Sequence, residues 1–196
     1  MIDHQSRRDE ILDAAEKRYF RTGYKKTTLA EVAGDVGLVK SAIYKHFQNK
    51  EKLFDAVLSR LIDSVMNRSA AVVAEKATAA EKLTALMMCS YDEVLELHYR
   101  FKASPEVWHD LRPHIMRVDR QYFNQFIDKV AVIIELGVAD WEMKCKSPKM
   151  VGTMVHMLFS SLHELIFLGE INPNDGYEYI KFSVDTILNG LLVKGS

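Results

Sequence analysis

Cysteine is scarce in this sequence: Cys89 and Cys145 are the two present, and they lie far apart. They form no CxxC pair and no disulfide framework, which fits a reducing cytoplasm. Proline and glycine are also few, at four and nine, and no repeat or low-complexity segment interrupts the chain. No run of about 18 apolar residues is present, so no membrane span is expected. The opening residues MIDHQSRRDE are charged and lack the apolar stretch of a secretory signal. No segment alternates polar and apolar residues between hairpin turns, which leaves no clear strand. GxSxG, HExxH, a phosphate-binding glycine loop and paired motif carboxylates are all missing. Their absence weighs against a small helical enzyme acting on a lipid-like molecule. Seven histidines are present, but His156 and His163 are seven apart and His109 and His114 flank Pro113. None has the four-residue spacing of a tight helical metal site and neither cysteine joins them, so no metal and no cofactor is expected.

What is present is apolar bulk and helical periodicity. Hydrophobic residues make up 48% of the 196, enough for a core in one or two domains. Net charge is close to zero, yet residues 1–60 hold 12 Lys and Arg against 9 Asp and Glu, while the remainder holds 14 against 18. A basic head on an acidic body suits a head that meets a polyanion.

Local signals then divide the chain into helices. Ser6 and Asp9 have capping-box spacing ahead of a stripe of Ile11, Leu12, Ala15, Tyr19 and Phe20, and Gly23 stands where a helix C-terminal glycine belongs. Thr28 and Glu31 repeat the capping spacing, with Thr27 as the other possible cap, ahead of Leu29, Val32, Ala33 and Val36. Gly37 allows a sharp turn into a short helix over about 40–47. Asn49 can cap a fourth helix, with Leu53, Val57, Leu61 and Val65 along its buried side. Two short helices joined through a glycine turn have the pattern of a helix-turn-helix. Further helices are expected near 79–101, 105–111, 113–137, 148–169 and 174–193, with Pro105 and Pro113 each opening one. The whole chain reads as all-α, with an N-terminal three-helix head over 1–50 and a helical body over 51–196.

The stretch SAIYKHFQNKEKLF mixes aromatic anchors with cations. Ile43 and Phe47 share one face of the third helix and can pack on the first two. Lys40, Ser41, Tyr44 and Lys45 lie on other faces, where cations and hydroxyls suit phosphate oxygens and base edges. Lys50 sits near the start of the fourth helix, where free N–H groups also attract phosphate.

With Gly23-Tyr24, Thr27-Thr28, Val32-Ala33, Gly37, Ile43-Tyr44, His46-Phe47, Asn49-Lys50-Glu51 and Leu53 at these offsets, the segment resembles the DNA-binding domain of the TetR/AcrR family of bacterial transcriptional regulators. The resemblance covers about residues 7–55. It implies a DNA-binding head followed by a ligand-binding and dimerisation body, acting as a cytoplasmic homodimeric repressor released from a palindromic operator by a small, largely apolar effector. It also implies Thr27, Thr28, Lys40, Ser41, Tyr44, Lys45, His46 and Lys50 as candidate contacts to double-stranded DNA, with Tyr44 and His46 touching the backbone. Two positions depart from the family pattern: Val39 replaces a common serine or threonine, and Ser41 a common small residue. Either the recognition helix starts differently or Ser41 makes a DNA contact of its own. A helical binding protein that has lost DNA reading is the alternative these departures leave open.

The body is rich in methionine and aromatic residues at helical spacing, which suits either a core or a pocket for an apolar ligand. Met87, Tyr91, Trp108, His109, Phe123, Met154, His156 and His163 are the candidate ligand contacts. Ile180, Val184, Ile187, Leu188, Leu191 and Leu192 form a broad stripe on the last helix. With the helix before it, this stripe is the expected dimer surface, which would set two recognition helices about 34–36 Å apart.

Overall fold

The computed structural model describes residues 4–101 and 105–192. Among them the regular structure is eight helices: α1 His4–Thr22, α2 Leu29–Asp35, α3 Lys40–Ile43, α4 Lys50–Ala74, α5 Ala79–Arg100, α6 Pro105–Ala139, α7 Pro148–Phe167 and α8 Gly176–Leu191. The local signals explain most boundaries. Gly23 and Gly37 take φ of +85° and +67°, a region that side chains resist and glycine enters freely. Thr28 and Glu31 close a full capping box at the start of α2. The Lys52 N–H donates to Asn49 Oδ1 at 2.8 Å at the start of α4. α1 begins two residues before Ser6, so that residue lies inside the helix.

Three expectations need correction. Two helices were expected to meet at Pro113 and a break at Gly137, but α6 runs through both. Leu111, His114 and Val118 are buried on either side of the proline and anchor both flanks. Pro113 and His109 are exposed, so water can replace the hydrogen bond that the proline removes. The third helix holds four residues rather than eight, and 44–46 form a turn. The apolar stripe of α8 packs within the chain: Ile180, Val184 and Leu191 are buried in the core, and Ile187 and Leu188 pack against it. Leu192 at the end of the stripe is exposed, as are Tyr179 and Phe182 on α8 and Met150, Met154 and Met157 on α7.

The chain divides into two compact units. One is Met1–Asp63 with Tyr99–Asp119, the other Ser64–His98 with Arg120–Ser196. The boundary expected after residue 50 thus lies within α4, and a segment read as body belongs to the head unit. In that unit Ile11, Ala15, Tyr19, Val32, Ile43, Leu53 and Phe54 are nearly inaccessible. Phe54 is the aromatic centre: Tyr19 meets it edge-on at 4.8 Å, Tyr24 lies 4.6 Å away and His114 5.0 Å away. His114 Nδ1 lies 3.0 Å from Asp55 Oδ1, and Arg117 donates to Asp55 Oδ2 at 2.7 Å and also pairs with Glu51. Arg100 lies over the Phe20 ring at 3.8 Å and donates to Glu16 at 2.7 Å. Arg100, His114 and Arg117 therefore complete the head.

The second unit is built from α5, α7, α8 and the adjoining parts of α4 and α6, around Leu83, Leu86, Met87, Tyr91, Ile134, Val155, Phe159 and Ile166. α7 is long and apolar enough, by length and composition alone, to cross a membrane. Its inner face, Val155, Phe159, Leu162 and Ile166, packs in this core as a core helix does. Glu142 closes the start of α5, accepting the N–H groups of Ala79 and Ala80 at 2.9 and 2.8 Å. The Tyr91 hydroxyl donates to the Pro173 carbonyl at 2.5 Å, and the ring presses on Gly176 at the start of α8. A Cβ on Gly176 would stand 1.8 Å from that hydroxyl oxygen. Gly176→Ala is therefore expected to lower stability by about 1–3 kcal/mol, the cost of overpacking, read as a reduced urea midpoint at unchanged m.

Candidate nucleic-acid interface

The candidate interface is built on α2, the Gly37 turn, α3 and the start of α4, all in the head unit. Thr28 is exposed, but its hydroxyl is engaged on two sides. It accepts the Glu31 N–H at 3.3 Å and donates to the Glu31 carboxylate at 2.8 Å. Those hydrogen bonds, from the Thr28 hydroxyl and then its main-chain N–H, hold the Glu31 carboxyl below the usual carboxylate range. Thr27 is buried, and its hydroxyl donates to the Gly23 carbonyl at 2.9 Å. It ties the end of α1 to the start of α2 rather than facing outward. Arg18 grips Asp35 at the far end of α2, with one bond at 2.8 Å.

α3 is held from beneath. Ile43 and Phe47 are buried at 0% and 3% exposure, and the Arg8 guanidinium lies 4.3 Å from the Phe47 ring centre while donating to the His46 carbonyl at 3.2 Å. Lys40, Ser41, Tyr44 and Lys45 are exposed, on the outer side of this anchored turn. Four of the eight candidate DNA contacts therefore share one open surface. His46 is half-buried behind them.

Lys50 is placed differently. Its ammonium donates to the carbonyls of Tyr24 and Lys25 at 3.1 and 3.2 Å and sits 4.3 Å from the Tyr24 ring centre. Burial lowers its pKa from the ordinary lysine value. This cation ties the loop after α1 to the start of α4. Arg8 was missed in the sequence, as was the Asp55, His114 and Arg117 group. The i, i+4 spacing of Glu51 and Asp55 was the one local signal for the latter.

The eight candidate ligand contacts do not gather in one place. Trp108 and His109 belong to the head unit, the first buried and the second exposed. Met87 and Tyr91 lie in the core of the second unit with no exposure. Phe123 and His156 meet there edge-on at 4.6 Å, and His163 lies 6.0 Å from Phe159. Met154 is exposed and lines a shallow groove between α7 and α8 with Met157, Leu158, Phe182 and Ile187.

Comparison with known proteins places this geometry. The family described as "Bacterial regulatory proteins, tetR family" matches residues 11–57, the span from the middle of α1 into α4. The HTH-type transcriptional repressor KstR2 of Mycolicibacterium smegmatis is 32% identical over 93 residues, 47% of this chain and 45% of that protein. The HTH-type transcriptional regulator TtgR of Pseudomonas putida is 42% identical over 57 residues, 29% of this chain and 27% of that protein. The matched region spans about half the length of that KstR2 relative and about a quarter of the TtgR relative. The fold extends further. A transcriptional regulator from Cytophaga hutchinsonii superposes with a TM-score of 0.75 at 23% identity, over 94% of this chain and 98% of that one. The ketosteroid transcriptional regulator KstR2 of Mycobacterium tuberculosis does so with a TM-score of 0.55 at 18% identity, over 98% of both chains. A capped α2, a glycine turn, an anchored α3 and the match over 11–57 agree with one another: this segment of the chain, from the middle of α1 into α4, carries the pattern of the tetR family of bacterial regulatory proteins.

Proposed function

We propose that the protein is a DNA-binding transcriptional regulator, a cytoplasmic homodimeric repressor released from a palindromic operator by a small, largely apolar effector. The observation that carries this reading is the outer surface of α3. Lys40, Ser41, Tyr44 and Lys45 stand together on a turn whose inner side is fixed by Ile43, Phe47 and Arg8. Such a surface offers cations to phosphate oxygens and hydroxyls to base edges. The family is one of regulators and not of enzymes, and the relatives named as repressors support the repressor sense.

The dimer reading rests on α7 and α8. Met154, Met157 and Phe182 are 59%, 62% and 72% exposed around one groove, and apolar side chains so grouped call for a cover. A second copy of the same face would supply it and would pair two heads on a two-fold axis. The effector reading rests on the edge-on aromatic and histidine group of the second unit, Phe123, His156, Phe159 and His163, which offers apolar surface with a few polar atoms. An effector releases DNA only if it binds the DNA-incompetent state more tightly.

Selection from a random duplex pool is expected to enrich a palindromic site whose affinity falls steeply with salt. Failure to enrich any site removes the proposal. On that site, Lys45→Ala is expected to lower the salt slope by about two units, one for each subunit of the dimer. Lys50→Ala is instead expected to lower thermal stability by about 1 kcal/mol, because its ammonium serves the fold. Phe182→Asp, read by light scattering, is expected to shift the protein from dimer to monomer at micromolar concentration. An unchanged mass would move the interface elsewhere.

A further inference from the structure

Val39 occupies the residue before α3, with extended backbone at φ −74° and ψ 151°. Serine or threonine at such a position would cap the helix with a side-chain oxygen, and valine cannot. No side-chain cap is made here, and only the Val39 carbonyl enters the helix, accepting the Ala42 N–H at 2.9 Å. The isopropyl group is not used for packing either, since Val39 is 70% exposed. Its neighbours Lys40 and Ser41 are exposed as well, so it stands on the same open surface. Val39 is thus a branched apolar side chain at the leading edge of the recognition turn that serves neither the cap nor the core.

An isopropyl group has nothing to offer a phosphate. In the major groove each base edge presents hydrogen-bond donors or acceptors, and thymine alone adds an apolar feature, its C5 methyl. From this chemistry we infer that Val39 packs against a thymine methyl in each half of the operator and is a specificity-determining residue. The inference rests on the reading of the head as a DNA reader and adds to it the base read at one position. Valine here gives up a cap and gains a contact that a serine hydroxyl cannot reproduce.

Deoxyuridine isolates the effect, because it keeps the pairing and groove acceptors of thymidine and lacks the methyl. In the duplex enriched by full-length protein, each thymidine is replaced in turn by deoxyuridine, symmetrically in both halves. Wild-type protein is expected to lose affinity at one symmetric position by about fourfold for each methyl, or about fifteenfold for the pair, the value of one buried methyl group. Val39→Ser is expected to be indifferent to deoxyuridine at that position and to respond like wild type at the others. Its thermal midpoint, unchanged or raised, confirms that the fold is intact. Identical deoxyuridine profiles for the two proteins overturn the inference while leaving DNA binding standing, as does an enriched site without thymine in its half-sites. If no duplex is enriched at all, the reading of the head fails and this inference fails with it.

Discussion

A helix of four residues has too few internal hydrogen bonds to hold itself together. Isolated helices shorter than about 12–15 residues are marginal in water, because nucleation fixes several dihedral angles for a single bond. α3 is such a helix, and it carries the surface on which the proposed function depends. Its conformation is imposed from below, by the burial of Ile43 and Phe47 and by Arg8 reaching from α1 to the His46 carbonyl. Much of the head serves that purpose. Val32 and Ala33 of α2 are fully buried, the α2 cap sets where that helix begins, and Gly37 turns the chain into α3. The outward residues can be polar, and need not stabilise anything, because the inward ones do so.

The same economy separates the cations of the head into two groups. Lys40 and Lys45 stand in solvent, where a charge is cheap to keep and free to meet a phosphate. Lys50 and Arg8 turn inward, onto main-chain carbonyls and the faces of Tyr24 and Phe47. A half-buried ammonium loses hydration, and two carbonyls with an aromatic face restore part of it. Basic composition therefore overstates the charge available to a polyanion, and position within the fold decides which cations count.

Most local features were legible in the sequence, Ser6 as a cap and the length of α3 excepted, and long-range ones were not. The Thr28–Glu31 box, the Asn49 cap and the Gly23 and Gly37 turns are set by residues within a few positions of one another, and each forms as the spacing predicts. Periodicity placed Ile43 and Phe47 inward for the same reason. Lys50 meets carbonyls 25 and 26 residues away, and His114 meets Asp55 across 59 positions, so no spacing rule could pair them. Pro113 misled because its penalty is local while the packing of Leu111, His114 and Val118 that overcomes it is tertiary. The α8 stripe was apolar as read, but periodicity cannot say whether an apolar face meets its own chain or another. In the structure the stripe up to Leu191 packs in or against the core, while Tyr179 and Phe182, off the stripe, are exposed.

The head unit is discontinuous, since Arg100, Phe101, His114 and Arg117 complete a core begun by α1 and α4. During synthesis the ribosome delivers Arg100 only as the last residue of α5, and the other three side chains after it. The recognition turn is therefore exposed to the cell before the core beside it is closed. The same discontinuity bears on the building of chimaeras. A graft cut within α4, beyond Asp55, would leave Asp55 without His114 and Arg117, and Glu16 without Arg100. The transplantable piece of this protein is two stretches of chain, not one.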